Sequence, residues 1–226
     1  MIAVASPIEL KAVLDGFDLS SHPLPGLWET LDVRDGVSIL HTGVGKSSAA
    51  AAVAKELFSA KRYVAVLSIG IAGSYDPAIG LRTVVLGLKH WLLDEGTIVE
   101  REPGWISLEE AGWAKTSIEC RNSELQTYCR ALADYEGDVG TVSTISGTDA
   151  LRDAYMRRAN VKLETMESGA VAQVCAVKGV DYADLRVVSN FCGARNSTNH
   201  DFPGSIKQVS YVVRRFSEFL TNGETS

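Results

Sequence analysis

Residues 36–60 read GVSILHTGVGKSSAAAAVAKELFSA, and this stretch decides the fold class. Residues 36–42 are a short β-rich run, and residues 47–60 are rich in alanine and begin with hydroxyl side chains that can cap a helix. Gly43 and Gly45, between the two, predict a tight turn. A buried strand, a glycine turn and a helix in this order are typical of α/β proteins.

The same alternation continues along the chain. Further strands are predicted at residues 2–6, 63–70, 82–88, 138–145, 161–165 and 185–190, and further helices at 123–134, 148–158, 167–178 and 205–220. No repeat, linker or low-complexity tract separates these segments. We therefore predict an α/β fold in which residues 1–226 form a single domain, with a sheet covered by helices on both faces.

Charge and hydropathy exclude several classes of partner. The 226 residues include 22 Lys and Arg against 28 Asp and Glu, a formal net charge of −6. This balance provides no net attraction to nucleic acid or to an anionic membrane surface. The longest apolar run, residues 65–72, is far shorter than a membrane span, and the amino terminus has no basic leader. We expect a cytoplasmic protein with no nucleic-acid or membrane partner.

The cysteines and histidines do not have metal-site spacing. Neither a CxxC nor a CxxH pair occurs among Cys120, Cys129, Cys175 and Cys192, and the four histidines lie far apart in sequence. The prediction is reduced thiols and no metal site.

The glycine turn does not match a nucleotide-binding motif. A Walker loop requires a glycine where Leu40 stands, and a dinucleotide fingerprint requires a small glycine-like residue at Ser48 and an acid where the next strand offers Ser68. Two interpretations of the turn stay open: it presents helix N–H groups to a ligand, or it packs the helix on the sheet.

Four features follow strands, where α/β folds bind ligands. Glu9 is either a site carboxylate or a helix-end charge, and Glu167 is either a capping charge or an acceptor for sugar hydroxyls. Residues 70–73, GIAG, are either backbone brought close to a flat ligand or a tight turn. Asn190 is either a turn residue or an amide that binds a heterocycle edge.

In their order along the chain, these features resemble the purine nucleoside phosphorylase and nucleosidase superfamily. The resemblance spans nearly the whole chain and is most specific in TMESGAVAQVC, residues 165–175, and LRVVSN, residues 185–190. It implies a three-layer α/β/α sandwich with a mixed central sheet that breaks the N-glycosidic bond of a purine nucleoside. It also implies a homodimer or higher homo-oligomer and no cofactor.

The resemblance assigns roles by position. Glu9 matches the carboxylate that activates water, Glu167 the one that holds the ribose hydroxyls, and Asn190 the acid that protonates the purine in adenine-specific nucleosidases. The matching substrate-binding positions are Gly70, Ile71, Ala72, Gly73, Met166, which would pack against the sugar, and Arg186, which would orient Glu167 or the base-binding residue.

Two departures from the superfamily patterns narrow the choice of nucleophile and of purine base. Hexameric phosphorylases place arginines where this chain has Glu9 and Ser68, so water is a better nucleophile here than phosphate. Asn190 offers two N–H donors, which suit N7 and O6 of a 6-oxopurine, whereas a protonated aspartate suits adenine.

Residues 189–195, SNFCGAR, are similar to the pattern of the futalosine hydrolase family. Arg195 is then either a partner for the benzoate of the substrate or an exposed loop arginine. The sequence predicts hydrolysis of futalosine with release of hypoxanthine. The alternatives are a nucleosidase for methylthioadenosine or adenosylhomocysteine, a phosphate-dependent phosphorylase, and a module that senses nucleosides without cleaving them.

Overall fold

A mixed β-sheet forms the centre of the computed structural model, which describes residues 1–34, 36–102, 104–194 and 200–223. The strands are β1 (Ile2–Val4), β2 (Thr30–Arg34), β3 (Val37–His41), β4 (Ala65–Ser74), β5 (Val84–Leu92), β6 (Gly96–Ile98), β7 (Trp105–Ser107), β8 (Ser117–Glu119), β9 (Tyr135–Thr141), β10 (Leu163–Thr165) and β11 (Asp181–Phe191). The helices are α1 (Pro7–Gly16), α2 (Lys46–Leu57), α3 (Glu124–Arg130), α4 (Asp149–Arg158), α5 (Ser168–Lys178) and α6 (Phe202–Gly223).

The sheet combines parallel and antiparallel pairs. Its strand order is β10-β9-β5-β11-β4-β1-β3-β2, with β8 added on β5, while β6 and β7 form a separate hairpin. Strands β3, β1, β4 and β11 are parallel to one another, whereas β2 runs antiparallel to β3 and β5 runs antiparallel to β11. Strand β10 also pairs with β4, so β10, β9, β5, β11 and β4 form a closed ring.

Helices cover both faces of the sheet. Side chains alternate along each strand, so apolar residues point to both faces and pack against the helices there. In β1, Ile2 and Val4 belong to the core shared with α1 and α6, and Ala3 belongs to the core shared with α2 and α5. Helix α3 contributes Cys129 to the α1 and α6 side. The prediction of a three-layer sandwich around a mixed sheet is confirmed.

Several segments differ from their predicted limits, and two of them carry predicted site residues. Residues 70–73 lie inside β4, which continues to Ser74, so the interpretation of GIAG as a tight turn is wrong. Strand β11 likewise continues past Asn190 to Phe191. Both strands are long because they pair in parallel along almost their whole length, with a register shift between Val188 and Asn190.

The parallel strands bring the predicted site residues to one edge of the sheet. The chain leaves β1 toward Glu9, leaves β3 through the glycine turn at residues 43–45, and ends β11 beside Asn190. Within the described residues, no helix has both the length and the apolar character that a membrane crossing requires.

Candidate active site

One cavity at this edge collects most of the predicted site residues. It is lined by Ala5, Ser6, Glu9, Val44, Ile71, Ala72, Gly73, Ile145, Ser146, Glu164, Thr165, Met166, Glu167, Ser189, Asn190 and Phe202. Gly70 and Arg186 lie beneath this lining instead of in it. Arg195 lies outside the described residues.

Glu9 is held by backbone and hydroxyl donors at the start of α1. Ser6 is the N-cap of the helix and forms a capping box with Glu9, and its hydroxyl donates to Glu9 Oε2 at 2.5 Å. The other oxygen, Oε1, accepts from the backbone N–H of Ile71 at 2.9 Å. Glu9 therefore caps a helix and also lines the cavity, and its role as a site carboxylate stays a prediction.

Glu167 lies across the cavity, directly before α5. Its Oε1 accepts a hydrogen bond of 2.8 Å from the N–H of Gly45, so this part of the glycine turn serves a protein carboxylate. Burial raises the pKa of the Glu167 carboxyl, while the charge of Arg186 and the Gly45 N–H oppose the rise. Glu167 is therefore a desolvated carboxylate that an additional hydrogen-bond donor would stabilise.

Arg186 is almost fully buried in β11 beneath the two carboxylates. Its Nε donates to Asp184 Oδ1 at 2.8 Å, and its Nη2 donates to the hydroxyl of Ser68. A Cβ at Gly70 would overlap Glu9 Oε1 and lie 2.8 Å from Arg186 Nη1, so the glycine lets these groups approach. Arg186 is therefore close to Glu9 without being part of the cavity lining, and its predicted orienting role stays a prediction.

Asn190 lines the same cavity and lies over the bare backbone of Gly73. A Cβ at Gly73 would lie 3.1 Å from Asn190 Nδ2 and 2.8 Å from Cys192 Sγ. The hydroxyl of Ser189 donates to Asn190 Oδ1 at 3.0 Å, so the amide oxygen already has a partner. The NH₂ group lies over Gly73 and donates one hydrogen bond of 3.3 Å to the carbonyl of Phe191.

The lining also contains a buried carboxylate, Glu164, that was not predicted from the sequence. Glu164 is buried and accepts from Tyr75 Oη at 2.6 Å, from Ser146 Oγ at 2.7 Å and from Ser146 N at 3.0 Å. These bonds tie the segment after β9 to β10. The sequence signal for Glu164 was its position near the end of a predicted strand. The signal for the capping box of α1 was the spacing of Ser6 and Glu9.

The charge of the lining is acidic. Of the described residues that line the cavity, Glu9, Glu164 and Glu167 carry ionisable side chains, and none is a lysine, arginine or histidine. The described part of the chain contains no group of three or more His, Cys, Asp or Glu side chains that could hold a metal ion. The arrangement can orient water and hydroxyl groups, whereas an anion would meet carboxylates.

Proteins of several organisms are similar to this chain in sequence. The model of the phosphorylase superfamily matches residues 2–221. A futalosine hydrolase of Acidothermus cellulolyticus is 33% identical over 220 residues, 94% of this chain and 87% of that protein. A futalosine hydrolase of Streptomyces coelicolor is 30% identical over 205 residues, 87% of this chain and 85% of that protein.

Solved structures share the fold at low sequence identity. The native structure of futalosine hydrolase of Helicobacter pylori has a TM-score of 0.76 at 15% identity and covers 96% of both chains. Its likeness supports the fold, and the matches at 30% identity and above support the family. The chain therefore belongs to the phosphorylase superfamily and, within it, to the family of the futalosine hydrolases.

Proposed function

We propose that this chain hydrolyses the N-glycosidic bond of futalosine and releases hypoxanthine. The observation that carries the proposal is the position of two carboxylates, Glu9 and Glu167, in one cavity above a buried arginine, with the Asn190 amide in the same lining. The relatives named futalosine hydrolase support the choice of substrate. The nucleoside would occupy the cavity with its ribose near the carboxylates and its base over Gly73.

Glu9 activates the water molecule. As water attacks the anomeric carbon, its oxygen forms the new bond to carbon and one of its protons moves to the Glu9 carboxylate. The bond between the anomeric carbon and the purine nitrogen breaks, and its electron pair leaves with the base. The three hydrogen bonds from Ser6 and Ile71 keep the carboxylate in place during this transfer.

Glu167 stabilises the sugar as positive charge develops on it. The ribose hydroxyls donate to its carboxylate, and these charge-assisted bonds strengthen in an oxocarbenium-like transition state. Met166, which precedes Glu167 and also lines the cavity, packs against the sugar.

Asn190 binds the leaving base. Its NH₂ group donates to N7 and O6 of hypoxanthine, where negative charge accumulates as the glycosidic bond breaks. An amide has no proton to transfer at neutral pH, so the departing purine anion takes its proton from solvent. Asn190 therefore acts as an electrostatic stabiliser, not as the general acid that an aspartate provides.

The test is a panel of nucleosides with the purified chain. Futalosine, its 6-amino analogue, methylthioadenosine and inosine are incubated separately, and the free base is measured by chromatography. We expect the highest kcat/KM for futalosine. Faster cleavage of methylthioadenosine would replace this proposal by the related nucleosidase activity, and binding without release of base would identify a sensing module.

We also propose that the chain, as a single domain of residues 1–226, works as a homodimer or higher homo-oligomer. Large apolar side chains are exposed at the cavity rim, at Val44 and Ile145, and on the α2 and α5 layer, at Phe58 and Val177. A second copy would remove such surface from water. Light scattering after size exclusion tests this, and a monomer at micromolar concentration would contradict it.

The cell context follows from the substrate and the thiols. The four cysteines are free, as in reducing compartments, and we propose a cytoplasmic enzyme of menaquinone biosynthesis. Loss of menaquinone on deletion of the gene, together with recovery of the protein in the cytosolic fraction, is the expected result.

A further inference from the structure

A buried polar cluster lies behind Arg186, on the side of the sheet that α5 covers. Asp184 and His90 are both fully buried, and Asp184 lies in β11 two residues before Arg186, on the same face of the strand. His90 comes from the neighbouring strand β5, and its ring meets the Tyr182 ring edge-on at a centroid distance of 5.3 Å. Tyr182 in turn donates to the carbonyl of Ser168, the first residue of α5.

The cluster has more polar atoms than hydrogen bonds. Among the described residues, the buried side-chain atoms without a partner are both ring nitrogens of His90, Asp184 Oδ2 and Ser168 Oγ, which all belong to this region. Such atoms destabilise a folded protein, and they concentrate where function requires them. Their number around Arg186 indicates that this region is built for more than packing.

Asp184 and His90 are close to forming a bond. Asp184 Oδ1 accepts from Arg186 Nε at 2.8 Å, while Asp184 Oδ2 lies 3.9 Å from His90 Nδ1. A shift of about 1 Å would bring the nitrogen and oxygen to hydrogen-bond distance. The carboxylate would then join the imidazole to the guanidinium.

We propose that Asp184 and His90 are positioning residues for the glycosidic hydrolysis: His90 Nδ1–H binds Asp184 Oδ2, and Asp184 holds the Arg186 guanidinium where its charge faces Glu9 and Glu167. The inference rests on the proposed function. Ser68 anchors the guanidinium from β4, and Gly70 leaves the space through which Arg186 approaches Glu9. Asp184 also compensates the arginine charge, so that the two carboxylates feel only part of it.

The charged groups around Asp184 determine in which direction the pH profile should shift when Asp184 is replaced. Glu9 and Glu167 face Arg186 from α1 and from the start of α5. The other titratable groups that interact electrostatically with Asp184, Arg186 or their immediate neighbours are Tyr182 on β11, His90 on β5, Asp138 on β9, Cys120 after β8, Cys129 on α3 and Cys175 on α5. Burial raises the pKa of the thiols and of Tyr182, so these groups stay neutral in the working pH range.

Asp184→Asn is the main variant, because it keeps the volume and an oxygen for Arg186 but removes the charge. We expect kcat to fall about 10- to 100-fold, as when supporting partners of functional side chains are removed, with KM nearly unchanged. The acid limb of the kcat profile should move to lower pH, because Glu167 would feel an uncompensated Arg186. A structural role would leave that limb in place.

His90→Phe is the second variant, since it keeps a ring against Tyr182 and removes both nitrogens. We expect a fall in kcat in this variant too, and no further loss when it is combined with Asp184→Asn, because both changes remove one interaction. His90→Phe also provides the test if Asp184→Asn does not fold. Val209→Ala, in α6 on the opposite face, is the control for lost packing and should not move the acid limb.

The outcomes separate this inference from the proposed function. The substrate is whichever nucleoside of the panel the wild-type chain cleaves best, so a different preferred nucleoside overturns only the choice of futalosine. Wild-type kcat in both variants, or a loss of activity in Asp184→Asn with an unmoved acid limb, would overturn the positioning role alone. A wild-type chain that cleaves no nucleoside would overturn both.

Discussion

Glu9 combines a structural and a chemical task in one side chain. Its carboxylate belongs to the capping box of α1 and also lines the cavity. Because glutamine serves in a capping box as well as glutamate does, the two tasks can be separated by substitution.

Glu9→Gln should abolish most turnover while the fold remains. The amide keeps the volume but cannot accept a proton from water, and the loss of a general base lowers the rate by about 10²- to 10⁴-fold. Steady-state kinetics and a thermal melt measure the two effects. Wild-type turnover would show that Glu9 is only a helix-cap carboxylate.

Glu167→Gln should lower activity and raise stability at pH 7. The ribose hydroxyls lose a charged acceptor, whose hydrogen bonds are worth about 1.5–3 kcal/mol. Burial raises the pKa of Glu167, so the wild-type chain loses stability as pH rises from the ordinary carboxyl pKa through the raised one. The variant lacks this loss, because its side chain stays neutral.

Melting curves at two pH values check this second effect. The melting temperature of Glu167→Gln should exceed that of the wild type at pH 7, and the difference should shrink at pH values below the ordinary glutamate pKa. An equal difference at both values would mean that the ionisation of Glu167 does not limit stability.

Asn190→Asp should move selectivity from 6-oxopurines toward 6-aminopurines. The amide donates to N7 and O6 together, whereas a protonated aspartate donates to one atom and directs its second oxygen against O6. Hydrogen-bond complementarity can discriminate by ~10⁴, of which one substitution transfers only a part. The ratio of kcat/KM for futalosine and its 6-amino analogue measures the change, and an unchanged ratio would remove Asn190 from base recognition.

At the scale of elements, the start of α1 connects stability to the site. Ser6→Ala removes the N-cap and one of the donors to Glu9, so it should reduce stability by about 0.5–2 kcal/mol and also lower kcat. Ser123→Ala is the matched control, because Ser123 caps α3 through the Gln126 N–H and does not line the cavity. Equal kcat values in the two variants would show that Ser6 acts only as a cap.

Strong periodic patterns predicted their elements, and short or mixed ones did not. The strands around residues 37–41 and 65–70 and helix α2 were predicted because their apolar runs are continuous or rich in alanine. Helix α1 was not predicted as a segment, because it has only 10 residues, although Pro7 and the spacing of Ser6 and Glu9 are signals for a helix start. In the edge strand β2 every side chain is at least partly exposed, so the strand has only a weak apolar signal in the sequence.

The candidate site followed the same limits. Glu9, Glu167 and Asn190 were singled out because each lies at or just after the end of a predicted strand, and their roles were predicted from the resemblance to the superfamily. Glu164 was missed, because nothing in a linear sequence places Tyr75 and Ser146 against it. Likewise, the burial of Arg186 beneath the cavity depends on the register of β11 with β4.

At the scale of the whole molecule, the sheet concentrates negative charge at one edge. Glu9, Glu164 and Glu167 arrive there from different parts of the chain. The charge of Arg186 lies below them, where Asp184 and Ser68 hold it. The uncharged ribose and purine of a nucleoside can occupy this cavity, but an inorganic anion beside Glu9 would be repelled by carboxylates in a partly dry environment.

The rate of futalosine cleavage should therefore not depend on phosphate. Two unit charges 4 Å apart interact by about 4 kcal/mol at an effective dielectric constant near 20, which strongly disfavours a phosphate placed beside Glu9. Rates are compared in phosphate and in sodium chloride of equal ionic strength, so that screening is the same in both. We expect equal rates and a free ribosyl product. A rate that rises with phosphate, together with a ribosyl 1-phosphate product, would identify the chain as a phosphorylase and would require a cation to reach the cavity from outside its described lining.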